Sequence, residues 1–427
     1  GAGAVQAQDA SYCLDCHDRH ATSSRHYPTS LTFPRNVPEL CGRCHREGAQ
    51  AAVRIDADVT DIVGSYTMSI HGKGLMESGL VVTATCVNCH SAHGELPPSD
   101  PDSTIHRDRI ADTCGKCHYG IDQQFRKSIH WPGVGTAAAE DLPTCKDCHT
   151  SHTISRVDQG DFRTVMLEQC GRCHEEESNT YFDTMHGKFS RLGGERAAKC
   201  YDCHGTHNIL PTSDPKSTLG HDQVVATCGQ CHTGSHRQFA GYLTHATHHD
   251  PDKYPWLFWT FWLMTGLLVG TLVVASLHTA AWLLRLYLTR DQWKPLKAAV
   301  KAQPGQKLYR RFTRYQRSLH LVMLLSFFTL ALTGMALKFS YMGWAQLLSD
   351  MMGGFGPAGQ IHRFCAVLTF GYFGAHLIEL GKVVRRKGWR GLVNPQTTML
   401  PTKRDWVELK ATWRWFLGKG EFPSYGR

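Results

Sequence analysis

Roughly the first 250 residues contain no long apolar run. That excludes a membrane span in this half and leaves little material for a side-chain core. Cysteine outside a fixed pattern is nearly missing too: of seventeen, only Cys365 lies outside a repeated Cys-x-x-Cys spacing. Acids are thin where bases gather. From Arg285 to Arg317 there are ten Lys or Arg and a single acid, Asp291. The negative mean hydropathy of -0.31 averages two populations. One is polar and rich in Cys and His. The other, from about residue 255, has long apolar runs separated by basic loops. A length of 427 residues suggests two or three domains. The composition step suggests two, 1–250 and 251–427.

The first half is filled by a repeated word. Cys-x-x-Cys-His occurs eight times, with cysteine pairs Cys13/Cys16, Cys41/Cys44, Cys86/Cys89, Cys114/Cys117, Cys145/Cys148, Cys170/Cys173, Cys200/Cys203 and Cys228/Cys231. The histidines that follow are His17, His45, His90, His118, His149, His174, His204 and His232. A zinc ribbon would group cysteines four to a metal, and a disulfide framework needs no histidine after each pair. The spacing is the attachment signature of a c-type haem, in which two thiols bond to the porphyrin edge and the histidine binds iron from one side. The sequence thus predicts eight haem c groups. The opening Gly-Ala-Gly-Ala-Val-Gln-Ala reads as the small-residue end of a cleaved export signal, which agrees with haem attachment outside the cytoplasm. The formal net charge of +9 omits the haem propionates and pools a membrane half, so it is not a nucleic-acid signal.

The motifs alternate between two spellings. Those at 13, 86, 145 and 200 read Cys-x-x-Cys-His-x-x-His, and those at 41, 114, 170 and 228 read Cys-Gly-x-Cys-His. One further histidine follows each second motif: His71, His130, His186 and His245. Wording recurs around them, as in Ser69-Ile-His, Ser128-Ile-His and Thr184-Met-His, and Leu96-Pro-Pro-Ser-Asp-Pro matches Leu210-Pro-Thr-Ser-Asp-Pro. This self-similarity predicts an array of four di-haem repeats, mainly α with much irregular structure, packed around porphyrins. His20, His93, His152 and His207, with His71, His130, His186 and His245, give eight distal ligands for eight irons. Bis-histidine ligation throughout is therefore expected, each repeat sharing its distal histidines locally. His106 and His221 are the substitutes. His26, His236, His248 and His249 follow no repeat logic and read as surface residues. Saturated irons carry electrons rather than bind substrate.

Three stretches can span a bilayer: Trp256 to Leu284, Leu319 to Leu337 and His362 to Val383. They predict a transmembrane helical bundle. The basic loop 285–317 and the basic tail 385–427 place those segments in the cytoplasm and the haem domain outside. Intramembrane histidines are functional candidates by default, and there are four: His278, His320, His362 and His376. His362 and His376 lie on one helix face about 21 Å apart at 1.5 Å per residue, which suits one or two haem b groups at two depths. His320 is the preferred partner of His376. His278 is a rival ligand or a quinone-site residue. His362 has no partner on a later span of this chain. Cys365 reads as a small packed hydrophobe. Glu379 is either a proton acceptor or a carboxylate snorkelling to the surface.

At these residues a resemblance emerges. The first 245 residues resemble the doubled-CxxCH multihaem cytochromes. His362-Arg-Phe-Cys-Ala-Val with His376 is similar to the membrane cytochrome b proteins of respiratory complexes, which bear paired histidines at this spacing. Together the halves resemble the CbcL-type inner-membrane multihaem c-type and dihaem b-type cytochromes, quinone oxidoreductases of metal-respiring bacteria. The resemblance implies anaerobic respiration at a bacterial inner membrane, with a quinone (menaquinone by expectation) as substrate and periplasmic c-type cytochromes as partners. It also implies a second histidine pair on a later helix, supplied by a second membrane chain or by residues beyond Arg427. The alternatives are a non-catalytic haem-wiring subunit of a larger respiratory complex, and a periplasmic multihaem reductase of a small oxyanion or nitrogen compound. The last needs an open iron.

Overall fold

Helices of the first half are short because each is built around one motif. The structure, a computed structural model, describes residues 12–20, 22–49, 51, 61–158, 160–242, 245–291, 313–389 and 401–421. The expected export-signal remnant at 1–10, most of the basic loop 285–317 and parts of the tail 385–427 lie outside the described residues. Among the described residues there is no strand. The chain divides into two units, residues 1–187 with 195–245, and residues 188–194 with 246–427.

The two motif spellings are two local structures. First-form motifs make helices of their own: Cys13–Cys16, Cys86–His90, Cys145–His149 and Cys200–His204. The third motif residue is Asp or Asn because its side chain caps the helix start. Asn88 accepts from the Thr85 N–H at 2.9 Å, Asp147 from Thr144 at 2.7 Å and Asp202 from Lys199 at 2.7 Å. Second-form motifs sit at the ends of helices such as Val37–His45 and Gly160–Cys173. Their glycine lets the following helix come close: a Cβ on Gly171 would lie 2.9 Å from Ser178 Oγ.

After three first-form motifs the chain turns through positive φ, at Ser91 (67°), Thr150 (64°) and Gly205 (84°). A non-glycine residue there costs about 1–3 kcal/mol. The strain redirects the backbone just before His93, His152 and His207. In the first repeat neither His17 nor Asp18 has positive φ.

The recurring Ser/Thr-x-His word also has a structural cause. Ser69 Oγ accepts from Gly72 N–H at 3.1 Å and Thr184 Oγ1 from Gly187 N–H at 3.2 Å, each capping the turn that carries His71 or His186. Gly72 and Gly187 are required, since a Cβ would run into the Tyr66 or Tyr181 carbonyl. Repeats interlock through the same loops: Ile70 N–H donates to Ile154 C=O, and Ile129 N–H to Ile209 C=O, both at 2.8 Å.

The second unit holds three helices long and apolar enough to cross a membrane, Pro255–Leu288, Arg314–Lys338 and Phe355–Lys387. No residue of the first is buried, as suits a helix apolar all round. The second and third pack together. Small buried residues, Ser326, Thr333 and Ala336 on one and Cys365 on the other, permit the approach. Hydroxyls within the spans donate back to carbonyls four residues earlier, Thr271 to Leu267 and Thr369 to Cys365 among them, so these donors do not face lipid bare. The helix Lys403–Phe416 buries Trp415 against Trp282, ring centroids 4.9 Å apart.

Gly72→Ala is expected to destabilise by about 1–3 kcal/mol through overpacking. Gly120→Ala, with nothing within 4 Å of the new carbon, should be neutral or slightly stabilising. Thermal melting of the two variants beside the parent checks the opposite signs.

Candidate functional site

Seven of the eight motif histidines face a non-motif histidine across a nearly constant gap. The ring centroids are 6.2 Å apart for His17 and His93, 6.2 Å for His90 and His152, and 5.9 Å for His149 and His207. The others are His71 with His118 at 6.2 Å, His130 with His174 at 6.2 Å, His186 with His232 at 6.1 Å and His204 with His245 at 6.3 Å. Two imidazole–metal bonds of about 2 Å, plus roughly 1 Å from each nitrogen to its ring centre, put two axial ligands about 6 Å apart. Other ring contacts in the chain scatter down to 3.8 Å. The residues therefore fit a haem iron held between each pair, with the adjacent cysteines to attach the porphyrin. All sixteen motif cysteines are free thiols, as that attachment requires.

The attachment thiols are not equivalent, although one spacing repeats throughout. The second cysteine of every Cys-Gly-x-Cys-His motif is exposed: Cys44, Cys117, Cys173 and Cys231. Their counterparts in the later first-form motifs, Cys89, Cys148 and Cys203, are half-buried, while Cys13 and Cys16 of the first motif are exposed. The helix Val224–Gly229 ends two residues before Cys231. Cys231 still lies near enough to Cys203 to raise its pKa, behind burial, Asp202 and Cys228. It thus keeps its place beside the preceding motif.

The histidine partners come from different repeats, which departs from the expectation of local sharing. A first-motif histidine faces the histidine three past the next repeat's first motif. A second-motif histidine faces the Ser/Thr-x-His histidine of the preceding repeat. The physical reason is reach. Three residues span at most about 10 Å, too little to pass around a porphyrin to its other face. Only His204 and His245 pair within one repeat.

Burial pushes His71, His130, His152 and His186 below the usual imidazole range, and the facing histidine pushes them further. His149 and His204 follow the same rule, burial first and then His207 or His245. Neutral imidazole is the ligating form. His245 has a further support: its Nδ1 lies 2.9 Å from Thr180 Oγ1, whose own proton goes to the Glu176 or Glu177 carbonyl. The hydroxyl thus accepts from Nδ1–H and leaves Nε2 for a metal.

Consecutive motifs are neighbours in space. The thiols of Cys41 and Cys86, Cys114 and Cys145, and Cys170 and Cys200 lie close enough to shift one another, with Cys41, Cys114 and Cys200 pushed up first by that neighbour and then by burial. They occupy the positions of thioether sulfurs in the haem-bearing chain. The remaining steps are close enough to be felt electrostatically. Burial and then Cys41 push Cys16 up, and burial and then Cys170 push Cys148 up to about 11. Burial raises Cys89 too, and Cys117 adds to it against the opposing charge of Lys116. With the step from Cys203 to Cys228 and Cys231, the eight motifs form one file in sequence order.

All 26 histidines of the chain lie among the described residues. His20 and His45 are not brought together, and neither faces another histidine ring. His45 is otherwise placed like its equivalents. Behind burial it lowers the pKa of His90, as His118 does for His149 and His174 for His204. His106 and His221 lie against Asp108 and Asp222 and face no motif histidine.

Within the membrane helices, His362 Nδ1 lies 2.8 Å from Thr333 Oγ1, which donates to Thr329 C=O at 2.7 Å. His278 meets the edge of Phe416 at 5.4 Å. His320 and His376 have no hydrogen bond or ring contact among the described residues and are not brought together. Glu379 pairs with Lys382 at 2.9 Å. Cys365 is buried. The supporting hydroxyls Thr180 and Thr333 were not foreseen. Thr333 sits 29 residues from its histidine and Thr180 65 from its own, so no local spacing signals either.

Residues 3–50 match the family described as doubled CXXCH motif. Over 220 residues the chain is 21% identical to a "Multiheme cytochrome MtrA" of Shewanella baltica (strain OS185), covering 50% of this chain and 57% of that protein. The chain thus spans less than two thirds of that curated relative. No solved structure matches. With the eight motifs, these likenesses support a multihaem c-type cytochrome with covalently attached haem and three helices able to cross a membrane.

Proposed function

We propose that this chain transfers electrons between a membrane quinone pool and periplasmic c-type carriers. The observation that carries the reading is the set of seven imidazole pairs along an unbroken file of motifs. Bound haem would supply a reversible one-electron iron couple. The residues fix where it sits and what it excludes. The cysteines tether each group beside the next. The facing histidines would hold each group from either side, which would keep substrate off those irons and leave little to rearrange when charge changes. The strained turns and hydroxyl caps aim the rings.

For the membrane half, His362 is the best-prepared ligand. Its Nδ1–H is taken by Thr333, so Nε2 is free to bind iron. His376, His320 and His278 are the remaining candidates for one or two haem b groups, with the quinone site beside one of them. The haem unit is assigned to the periplasm and the basic segments to the cytoplasm. A second reading, a wiring subunit of a larger respiratory complex, is favoured by one observation: among the described residues no two intramembrane histidines face one another. A partner chain would then complete the b-haem sites.

Two experiments test this. His130→Met should raise one haem potential in a redox titration, since methionine ligation raises it, and should leave covalent haem content unchanged. A high-spin fraction well above one haem in eight would contradict the paired ligation. Pyridine haemochrome analysis of the isolated chain and of intact membranes should find non-covalent haem b in at least the latter. A quinol analogue should reduce that preparation. Haem b in neither would reduce the protein to a membrane-anchored c-haem wire.

A further inference from the structure

The helix Lys403–Phe416 separates its charges by face. Both of its acids are engaged: Asp405 accepts from the Thr402 N–H at 2.5 Å and hydroxyl at 2.8 Å, and Glu408 pairs with Arg404 at 2.8 Å. Thr412 and Trp415 are buried on the same side as these acids. At about 100° per residue the opposite side carries Trp406, Lys410, Trp413 and Leu417, with Lys403 and Arg414 beside them. All six are exposed, and neither acid of the helix falls among them. Two tryptophans and a leucine bordered only by cations suit a surface that is both apolar and anionic.

The position of the helix fixes its surroundings. Its last turn lies well along the first membrane helix, not at the tip. Trp415 lies against Trp282 with ring centroids 4.9 Å apart, Phe416 meets His278 at 5.4 Å, and Arg285 stands over Trp415 at 5.5 Å. His278 is ten residues short of the end of Pro255–Leu288, about 15 Å at the helical rise. That helix is about 50 Å long, some 20 Å more than a bilayer's hydrocarbon core. Even with all of the excess emerging at this end, His278 would stand only about 5 Å outside the core, within the headgroup layer. Phe416, at its side, shares that depth. Cations gather at the same end of the parallel third helix, whose last turn holds Arg385, Arg386 and Lys387.

We propose that the face bearing Trp406, Trp413 and Leu417 is a binding surface for anionic lipid, these side chains entering the headgroup layer while Lys403, Lys410 and Arg414 meet lipid phosphates. The proposal rests on Pro255–Leu288 crossing a membrane. An amphipathic helix with aromatic residues on one face and Lys or Arg along its border is held to a negatively charged surface by both. Because the same helix packs Phe416 on His278, lipid charge would bear on the packing around a candidate haem b ligand.

The test labels the haem-loaded full chain carrying Trp413→Cys with a charged maleimide. The chain is held in nanodiscs of phosphatidylcholine alone or with about one third phosphatidylglycerol, a content that gives a strongly negative surface. Ala137→Cys, at an exposed loop position of the haem unit, is the reference. Attached haem consumes the sixteen motif thiols, and Cys365 is buried. Labelling at 413 is expected to be about tenfold slower than at 137 in the mixed lipid, as interfacial burial requires, and several-fold slower there than in phosphatidylcholine alone. Lys403→Gln, Lys410→Gln and Arg414→Gln together should abolish the lipid difference. Equal rates at 413 and 137, in a chain that resists alkaline carbonate extraction, overturn the proposal and leave the spanning helix intact. Extraction by carbonate overturns both. Protection that is the same in the two lipids overturns the headgroup assignment. Protection in native membranes but not in nanodiscs gives the face to a protein partner and overturns the proposal as well.

Discussion

The spacing between two imidazoles, close to 6 Å and repeated seven times, is the constraint on which the haem unit depends. A ring on each side of one metal cannot come from neighbouring residues. The backbone must leave the motif, pass the porphyrin edge and return, or borrow a ring from another segment. This chain borrows. The consequences are visible in places far from any iron: the loop bonds from Ile70 to Ile154 and from Ile129 to Ile209, the glycines that let the Tyr66 and Tyr181 carbonyls approach, and the turns strained at Ser91 and Thr150. A cost of about 1–3 kcal/mol per strained residue is tolerated only if the surrounding structure demands that conformation. Here the demand is the direction in which a histidine must leave.

Much of the site was legible in the sequence because its signal is local. Cysteine, cysteine and histidine lie within five residues, and the alternation of Asp/Asn with Gly in the motif interior reports two helix contexts. The mainly helical character, the irregular connections and the three spans were legible for the same reason. Partner choice was not. His93 and His20 hold equivalent positions in their repeats, yet one faces His17 and the other faces no histidine. The backbone turn before each is one difference, positive φ at Ser91 and not at Asp18. The sequence signals that turn only at Gly205, since Ser91 and Thr150 adopt positive φ without being glycine, and Asp18, a good turn residue, does not adopt it. Thr180 and Thr333 were equally silent, because a hydroxyl in a helix is ordinary until a ring arrives against it.

The membrane unit follows different rules. Its helices satisfy their own backbone and turn hydroxyls inward on their own carbonyls. Association therefore needs only small residues at the seam, as Ser326, Thr333 and Ala336 supply on the second span. One of those, Thr333, also holds His362. A residue that permits helix approach and orients a candidate ligand ties the packing of the pair to the pose of the imidazole, so a shift of one helix against the other would be felt at that nitrogen.

The cross-repeat exchange of histidines has a bearing on how such arrays lengthen. Each interior repeat gives one ring forward, one ring back, and receives the same in return. A whole repeat inserted between two others would find both its borrowed partners waiting and would satisfy both neighbours' needs. Half a repeat would leave orphans on each side. Growth by duplication is thus quantised in pairs of cofactors.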